Sequence, residues 1–598
     1  MRILRTAGAP MALFLLLAGA SLAAHGLIVR MYMNDVLFLS DSIWRASLRQ
    51  VAHLDFESPI GQAFYWPYAI VGFFSGGSLL DVLRGNVIVG AVLLLACLAV
   101  FPARFSRLLS FLATAIVLTT AMTGRSVDGG ITTYDFLAPY NRWGWAFAIL
   151  AALIALVPPR EPRGWRPGWR RPGWLDGSVL GFALTILFYL KISVFVYTLA
   201  LVCLAVPLRF LKLGTLLVAL AIAALLAAGI EVAFGNNAAY LADLGRAARA
   251  NLDAGGDPFR IGRLSFALLI GAPFGLAAVA ILLVNGNAHT VRETIVLWWR
   301  EIFMVAATIG AAAFIGAQNH PQWEVTMYGA ALVAAAELGA RKRTALPSLG
   351  LSATLLPPAA RSAIVAAALA LGAGLVPAMD AASIVAHAVE SNLAAGCTSP
   401  SLRGTSLARL LFPRPHLLSS PSGPNGKCSY LSAYSAPDET LAWDPSVSRR
   451  LLRTVPILRT LVKPGDVILA LEFANPYPFV FRTPPPEHAL IWMDYDRTYS
   501  RDIHPAADAL VEQADYVVQT DYPAEVRPPL GPGLANRLRK VLRPPPENPL
   551  GHGQDAWNVY GAAVRARFLP VARTAEVTIW RRRDKTPALQ GIDEPVAH

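Results

Sequence analysis

The sequence predicts an α-helical polytopic membrane domain at residues 1–380, with about eleven transmembrane helices plus interfacial helices, followed by a small external α/β domain at 381–598. Three observations carry this prediction. The chain of 598 residues is 55% hydrophobic and only 15% charged, whereas soluble globular domains are about 25% charged. Apolar runs long enough to cross a bilayer recur from the N-terminus to about residue 380 and then stop. Basic residues gather in the short loops between those runs, on alternate sides.

The first run, Met11 to Met33, follows Arg2 and Arg5. Its Ala-Ser-Leu-Ala stretch imitates a signal-peptidase site, but the apolar run continues through Leu27, Ile28 and Val29, so a retained helix is expected with its N-terminus inside. Residues 34–59 then lie outside. Further spans are expected at about 86–101, 108–123, 143–157, 177–190, 192–207, 214–234, 265–284, 302–317, 325–338 and 361–379. Alternation puts Arg104 and Arg107, the tract Arg160 to Arg171, Arg209 and Lys212, Arg292 and Arg300, and Arg341 to Arg343 in the cytoplasm, as the positive-inside rule requires. The scheme needs Ile60 to Gly76, which carries Pro67, to lie in the outer interface without crossing.

The part after residue 380 changes composition. Strand-like runs at 466–473, 489–493, 516–519 and 576–580 alternate with helical patterns at 447–462 and 505–514, and proline-rich loops fall at Pro484 to Pro486, Pro528 to Pro532 and Pro544 to Pro546. Cys97 and Cys203 fall inside apolar spans. Cys397 and Cys428 are the two external cysteines and are expected to pair, closing a loop worth ~3.5 kcal/mol in the chain-entropy treatment. The net charge of +13 is accounted for by topology, and no nucleic-acid partner is expected, there being no arginine-rich tract with interleaved aromatics on a soluble face.

Acidic residues concentrate just after the first span: Asp35, Asp41, Asp55 and Glu57, together with His53. From Val36 to Val51, Leu37, Trp44, Leu48 and Val51 form one helical stripe and Asp41, Arg45 and Arg49 another, so this helix is expected to lie flat on the outer leaflet. Asp41 can pair with Arg45 one turn on. Asp35 stands apart, at the expected end of the spanning helix, where partial desolvation suits a carboxylate to take a proton from a hydroxyl.

The stretch NDVLFLSDSIWRASLRQVAHLDFESPIGQAFYWP resembles the membrane glycosyltransferases of the GT-C superfamily, which include protein mannosyltransferases and aminoarabinose transferases. These place an acid directly after the first span, here Asp35. Many bacterial relatives follow it some twenty residues later with an Asp-aromatic pair and a proline turn, here Asp55-Phe56 and Ser58-Pro59. Where relatives often carry Asp-Glu, this chain has Asp35-Val36 and so lacks the second carboxylate through which a metal would be held; a divalent cation is the one cofactor that the resemblance leaves open.

The resemblance implies an inverting transfer of a sugar from a polyprenyl-phosphate donor to an envelope glycan, lipid or protein, on the periplasmic face of a bacterial inner membrane. Asp35 would be the base, with Asp41, His53 and Asp55 as supporting polar groups. Lys191, which interrupts two apolar runs at an expected external hairpin, and Arg142 would meet the donor phosphate. The external loop 124–142, with Asp128, Tyr134, Asp135, Tyr140 and Asn141, and the polar tip carrying His320 would bind sugar or acceptor. His320 has no second His or Cys nearby, so it is not expected to ligate a metal. Asp494 and Asp496 look like the Asp-x-Asp of nucleotide-sugar enzymes, but an external domain is not supplied with such donors, and the pair is expected to be strand-end carboxylates. Two alternatives stand beside this one: an envelope polysaccharide ligase or polymerase, and a non-catalytic transporter or flippase.

Overall fold

The computed structural model of the chain describes residues 2–28, 33–125, 131, 139–160, 172–253, 261–285, 291–318, 325–345, 357–412, 428, 445–520, 552–574 and 576–585. Helix α1 covers Arg2–Ala23 and is followed by the two-residue strand β1, Leu27–Ile28. Helices α2 (Met33–Ser47) and α3 (Trp66–Ser75) precede α4 (Asp81–Val100), α5 (Arg107–Met122) and α6 (Pro139–Leu156). Then come α7 (Pro172–Leu190), α8 (Ile192–Ala205), α9 (Leu213–Phe234) and α10 (Asn237–Asp253). Helices α11 (Ile261–Val284), α12 (Val291–Ala317), α13 (Thr326–Ala345), α14 (Pro358–Leu369) and α15 (Leu375–Leu393) complete the bundle.

Among the described residues, six helical segments are long and apolar enough to cross a membrane: 81–103, 173–190, 213–234, 261–284, 296–317 and 359–393. Three shorter apolar helices lie at 7–23, 107–122 and 192–205. This is a helical membrane protein. Every residue of α6 is buried, which makes it the hub against which α5, α7 and α8 pack. Helices α7 and α9 approach closely along a glycine stripe: a Cβ at Gly177 would stand 2.7 Å from Val218, and one at Gly181 would run into the Ala219 carbonyl. Helix α3 has ten residues, about 15 Å of rise, half of what a bilayer core needs. Its outer face exposes Ile70, Phe73 and Phe74.

The loops expected on the cytoplasmic side meet at one end of the bundle. There Arg104 pairs with Asp176 at 2.8 Å, and Glu337 receives Arg160 at 2.6 Å, Arg341 at 2.7 Å and the Ser106 amide at 2.9 Å. Arg341 also donates to the carbonyls of Pro158 and Arg104.

Several expectations are corrected. The first helix stops at Ala23, ten residues short of Met33, because the chain straightens and Leu27–Ile28 pairs in parallel with strand β2, Leu410–Leu411. Asp35 therefore lies in the first turn of α2, not at the end of the spanning helix. The helix expected at 361–379 continues through a π-helical segment, Ala370–Gly374, to Leu393, so the boundary drawn after residue 380 falls inside a helix. The expected strand at 489–493 does not form. Its residues bridge to the interfacial loop through Glu57 and Leu490 instead.

The C-terminal part carries α16 (Pro445–Leu461), β3 (Ile468–Leu471), α17 (Tyr477–Phe481), α18 (Ala507–Glu512), β4 (Tyr516–Thr520), α19 (His552–Arg567), β5 (Phe568–Arg573) and β6 (Val577–Arg582). The sheet order is β3-β4-β6-β5, with β3 and β4 parallel and the remaining pairs antiparallel. Alternation along the strands explains its two covered faces. Leu469, Leu471 and Val517 pack with Ala556, Tyr560 and Val564 of α19. Ile468, Ala470 and Val518 join the core shared by α16 and the helical bundle. Cys397 and Cys428 form the expected disulfide.

Candidate functional site

Helix α2 is the floor on which the two parts of the chain meet. Of its expected polar stripe only Arg49, past the helix end, faces water: Asp41 and Arg45 are both buried, and the C-terminal part reaches Arg45 through the Pro486 carbonyl. Asp41 Oδ2 accepts from Arg45 Nε at 3.1 Å, and the remaining guanidinium nitrogens donate to the Pro486 carbonyl at 3.2 Å, in the first of the proline-rich loops. Trp44 Nε1 donates to the Thr483 carbonyl at 2.8 Å. Arg482 lies between the rings of Trp44 and Phe479, at 4.7 and 5.1 Å, and donates to the Gly76 carbonyl at 2.7 Å. Burial pushes the Asp41 carboxyl up, with Arg45 pulling it back down.

Asp35 stands half-buried at the start of this helix, one turn before Phe38, whose ring meets Tyr140 at the start of α6. Burial first, and then the Asp35 carboxylate, push the Tyr140 phenol up, while Arg497 opposes them. The same ring carries Lys191 Nζ 5.3 Å from its centroid, and that ammonium donates to Asn141 Oδ1 at 2.6 Å. Lys191 occupies the one-residue break between α7 and α8, in extended conformation, so its side chain turns inward to α6 and does not run along the lipid. Tyr140 also stacks on Trp492 at 6.1 Å, and Trp492 in turn stacks on Phe473 at 6.0 Å. Phe38 meets both Tyr140 and Trp492 edge-on, at 6.4 and 5.5 Å. Two residues past Trp492, Asp494 Oδ2 holds Arg497 Nη1 at 2.7 Å.

The structure thus brings together Asp35, Tyr140, Asn141 and Lys191 from the expected set. It leaves others elsewhere. Arg142 is buried against the Trp145 ring, at 5.4 Å, and donates to the Arg125 carbonyl, while Arg125 pairs with Asp380 at 2.8 Å. His53 Nδ1 meets Asp243 of α10 at 2.8 Å, and Asp243 also accepts the Ser58 amide and Arg246. Asp55 caps its own turn by accepting the Val51 amide at 2.6 Å, and its carbonyl accepts from the His488 amide at 2.7 Å. These three supporting groups, Asp41, His53 and Asp55, hold the loop in shape. Asp128, Tyr134, Asp135 and His320 lie outside the described residues.

Asp494 is a residue that sequence reasoning set aside, and Arg497 is one that it missed. Asp494 is not at a strand end: it sits in an irregular turn fixed by Thr498, whose hydroxyl accepts the Asp494 amide at 2.9 Å. The signal was present in WMDYDR, where aromatic, acidic and basic groups are packed into six residues. Helix α10 was also unforeseen. It ties the turn down from outside, Asn251 Nδ2 donating to the Asp496 carbonyl at 3.2 Å. Among the described residues no three His, Cys, Asp or Glu side chains converge as metal ligands would.

The arrangement can hold an anion beside a carboxylate. A cation anchored by an amide, an acid in the first turn of a helix and a wall of aromatic rings meet where bundle and external part join. No protein-family model matches the chain, and no curated protein matches it.

Proposed function

We propose that this protein is a GT-C-like membrane glycosyltransferase with about eleven spans, lying in a bacterial inner membrane with its C-terminal domain in the periplasm. It takes a sugar from a polyprenyl-phosphate donor and adds it to an envelope glycan, lipid or protein. The observation that supports this most is that one tyrosine, Tyr140, lies against Lys191 and against Phe38, one helical turn from Asp35, whose charge bears on its phenol. An in-line displacement needs one group to take the acceptor proton and another to receive the leaving phosphate, and these two have the required charges.

In this reaction the Asp35 carboxylate takes the hydroxyl proton as the acceptor oxygen forms its bond to the anomeric carbon. The bond from that carbon to the phosphate oxygen breaks, and its electron pair leaves with the lipid phosphate, whose growing charge Lys191 meets. One displacement inverts the anomeric carbon. Asn141 keeps Lys191 in place, and the stacked rings of Tyr140 and Trp492 keep water away from the leaving group.

The test is incubation of purified protein with a panel of radiolabelled polyprenyl-phosphate sugars and membrane extracts. Label is expected in one envelope fraction, with inverted anomeric configuration. Label accumulating in a long polymer in place of a single addition would identify a polymerase or ligase, and movement of intact donor across vesicles without transfer would identify a flippase.

A further inference from the structure

The proposed reaction leaves one electrostatic demand unmet by the bundle alone. A sugar phosphodiester carries one negative charge, whereas the departing lipid phosphate monoester carries about −1.5 to −2 at neutral pH. Lys191 contributes a single positive charge, already shared with Asn141 Oδ1. A second cation, Arg497 of the C-terminal part, bears on the same ring, opposing the upward push on the Tyr140 phenol. The chain of contacts runs from Lys191 to Tyr140 at 5.3 Å and from Tyr140 to Trp492 at 6.1 Å, and Arg497 lies five residues past Trp492. Arg497 retains 30% of its side-chain exposure although its neighbour Asp494 is 9% exposed. Its guanidinium is a planar fork of donors that matches phosphate oxygens, and Asp494 fixes the orientation of that fork through Nη1.

Three separate contacts hold the turn in register with the bundle. The Glu57 carbonyl accepts the Ile491 amide at 3.1 Å, and the Ala489 carbonyl accepts the Glu57 amide at 3.0 Å. The Asp496 carbonyl accepts Asn251, and Trp492 is sandwiched between Tyr140 and Phe473. A segment merely resting on the bundle would not need a backbone bridge, a helix from a different loop and an aromatic stack.

We infer that Arg497 is a second donor-phosphate cation, oriented by Asp494, so that the external domain completes the active site with a phosphate-binding group of its own. This rests on the reading of the protein as a polyprenyl-phosphate-dependent enzyme. The ligand chemistry is a phosphate on a prenyl chain. Lys191 meets it from the bundle and Arg497 from the domain, and Asp494 is a positioning residue because it acts through Arg497.

The test measures binding of radiolabelled polyprenyl phosphate to the full-length protein in detergent, with polyprenol as the uncharged control and inorganic phosphate as competitor. Wild type is expected to prefer polyprenyl phosphate to polyprenol, and Arg497→Ala to lose about 10- to 100-fold in affinity for the phosphate alone. Arg497→Lys should recover part of that loss by charge, and Asp494→Asn should weaken binding less than Arg497→Ala. Should Arg497→Ala not fold, Arg497→Gln keeps the length and carries the same expectation. Wild-type affinity in a folded Arg497→Ala or Arg497→Gln overturns this inference and leaves the proposed function standing. Competition by inorganic phosphate at concentrations equal to the lipid would reveal a free-anion site and also overturn it. Equal binding of polyprenol and polyprenyl phosphate by wild type would instead remove the proposed function itself.

Discussion

The two ends of the helical bundle both collect charge, and they use it differently. At the end expected inside, each acid is closed off by cations: Glu337 receives Arg160, Arg341 and the Ser106 amide, and Asp176 receives Arg104. At the other end Asp35, Lys191 and the Asp494–Arg497 pair are spread around the rings of Tyr140 and Trp492. The inner clusters join helix to helix, whereas the outer charges border an aromatic wall that the bundle shares with the C-terminal part. The difference separates two roles that a list of buried ionisable residues would merge.

The sharpest break of this comparison is at the acid. Asp35→Asn keeps size and most hydrogen bonding, so folding and donor affinity should survive while single-turnover transfer falls by about 10²- to 10⁴-fold. Asp41→Asn and Asp55→Asn should lower transfer less per folded molecule, since the first pairs with Arg45 and the second caps a turn. Wild-type transfer by Asp35→Asn alongside loss in either of the others would move the base to another carboxylate.

The opposite end should respond in stability instead. Glu337→Gln leaves Arg160 and Arg341 facing a neutral amide in a site where Glu337 is fully buried. Because Arg160 and Arg341 stay partly exposed and can be solvated, the loss should cost about 1 to 2 kcal/mol, read as a lower unfolding temperature in micelles. Turnover per folded molecule should stay at the wild-type level. A fall in turnover with unchanged unfolding would mean that the two ends are not separate in function.

Between these lies the donor cation. Lys191→Ala should weaken donor binding by roughly 1.5 to 3 kcal/mol, the worth of one charge-assisted contact, with acceptor binding unchanged. An unchanged donor Kd in a folded variant would return Lys191 to a purely structural contact with Asn141.

What the sequence made legible follows from the range of the forces involved. Apolar runs mark helices because each carries its own signal, and α4, α7, α9 and α11 lie where hydropathy puts them. Arg104, Pro158 and Arg341, from three loops that the sequence reading puts on one side, meet at one end. The pairing of Leu27–Ile28 with Leu410–Leu411 was not legible, since two residues on each side carry no periodicity. Helix α2 shows the same limit more sharply. Its amphipathic pattern pointed to a polar face in water, but Pro486, more than four hundred residues away, covers Arg45 on that face. The run 489–493 has the composition of a strand, and its partner is a loop and not a sheet, which hid Asp494.

The smallest effect tests the loop that holds the site and asks whether the outer end has a staple of its own. Glu57 pairs with Arg246 at 3.2 Å, and Arg246 also reaches Asp243, beside His53. Burial is the main influence on Glu57 and pushes its carboxyl above the ordinary 4.5, against the pull of Arg246. A raised folded-state value means that, between 4.5 and that value, the folded protein holds a proton which the unfolded chain has released. Stability contributed by this group is therefore flat below 4.5, falls as pH rises through the window and is lost above it. Glu57→Gln cannot titrate, so the difference in unfolding temperature, wild type minus variant, should shrink as pH climbs from acid towards neutral. Asp243 remains to hold Arg246, so the loop should keep its place and transfer at neutral pH should change little. A difference that grows with pH would show that Arg246 outweighs burial, and the outer cluster would then be a staple of the same kind as Glu337.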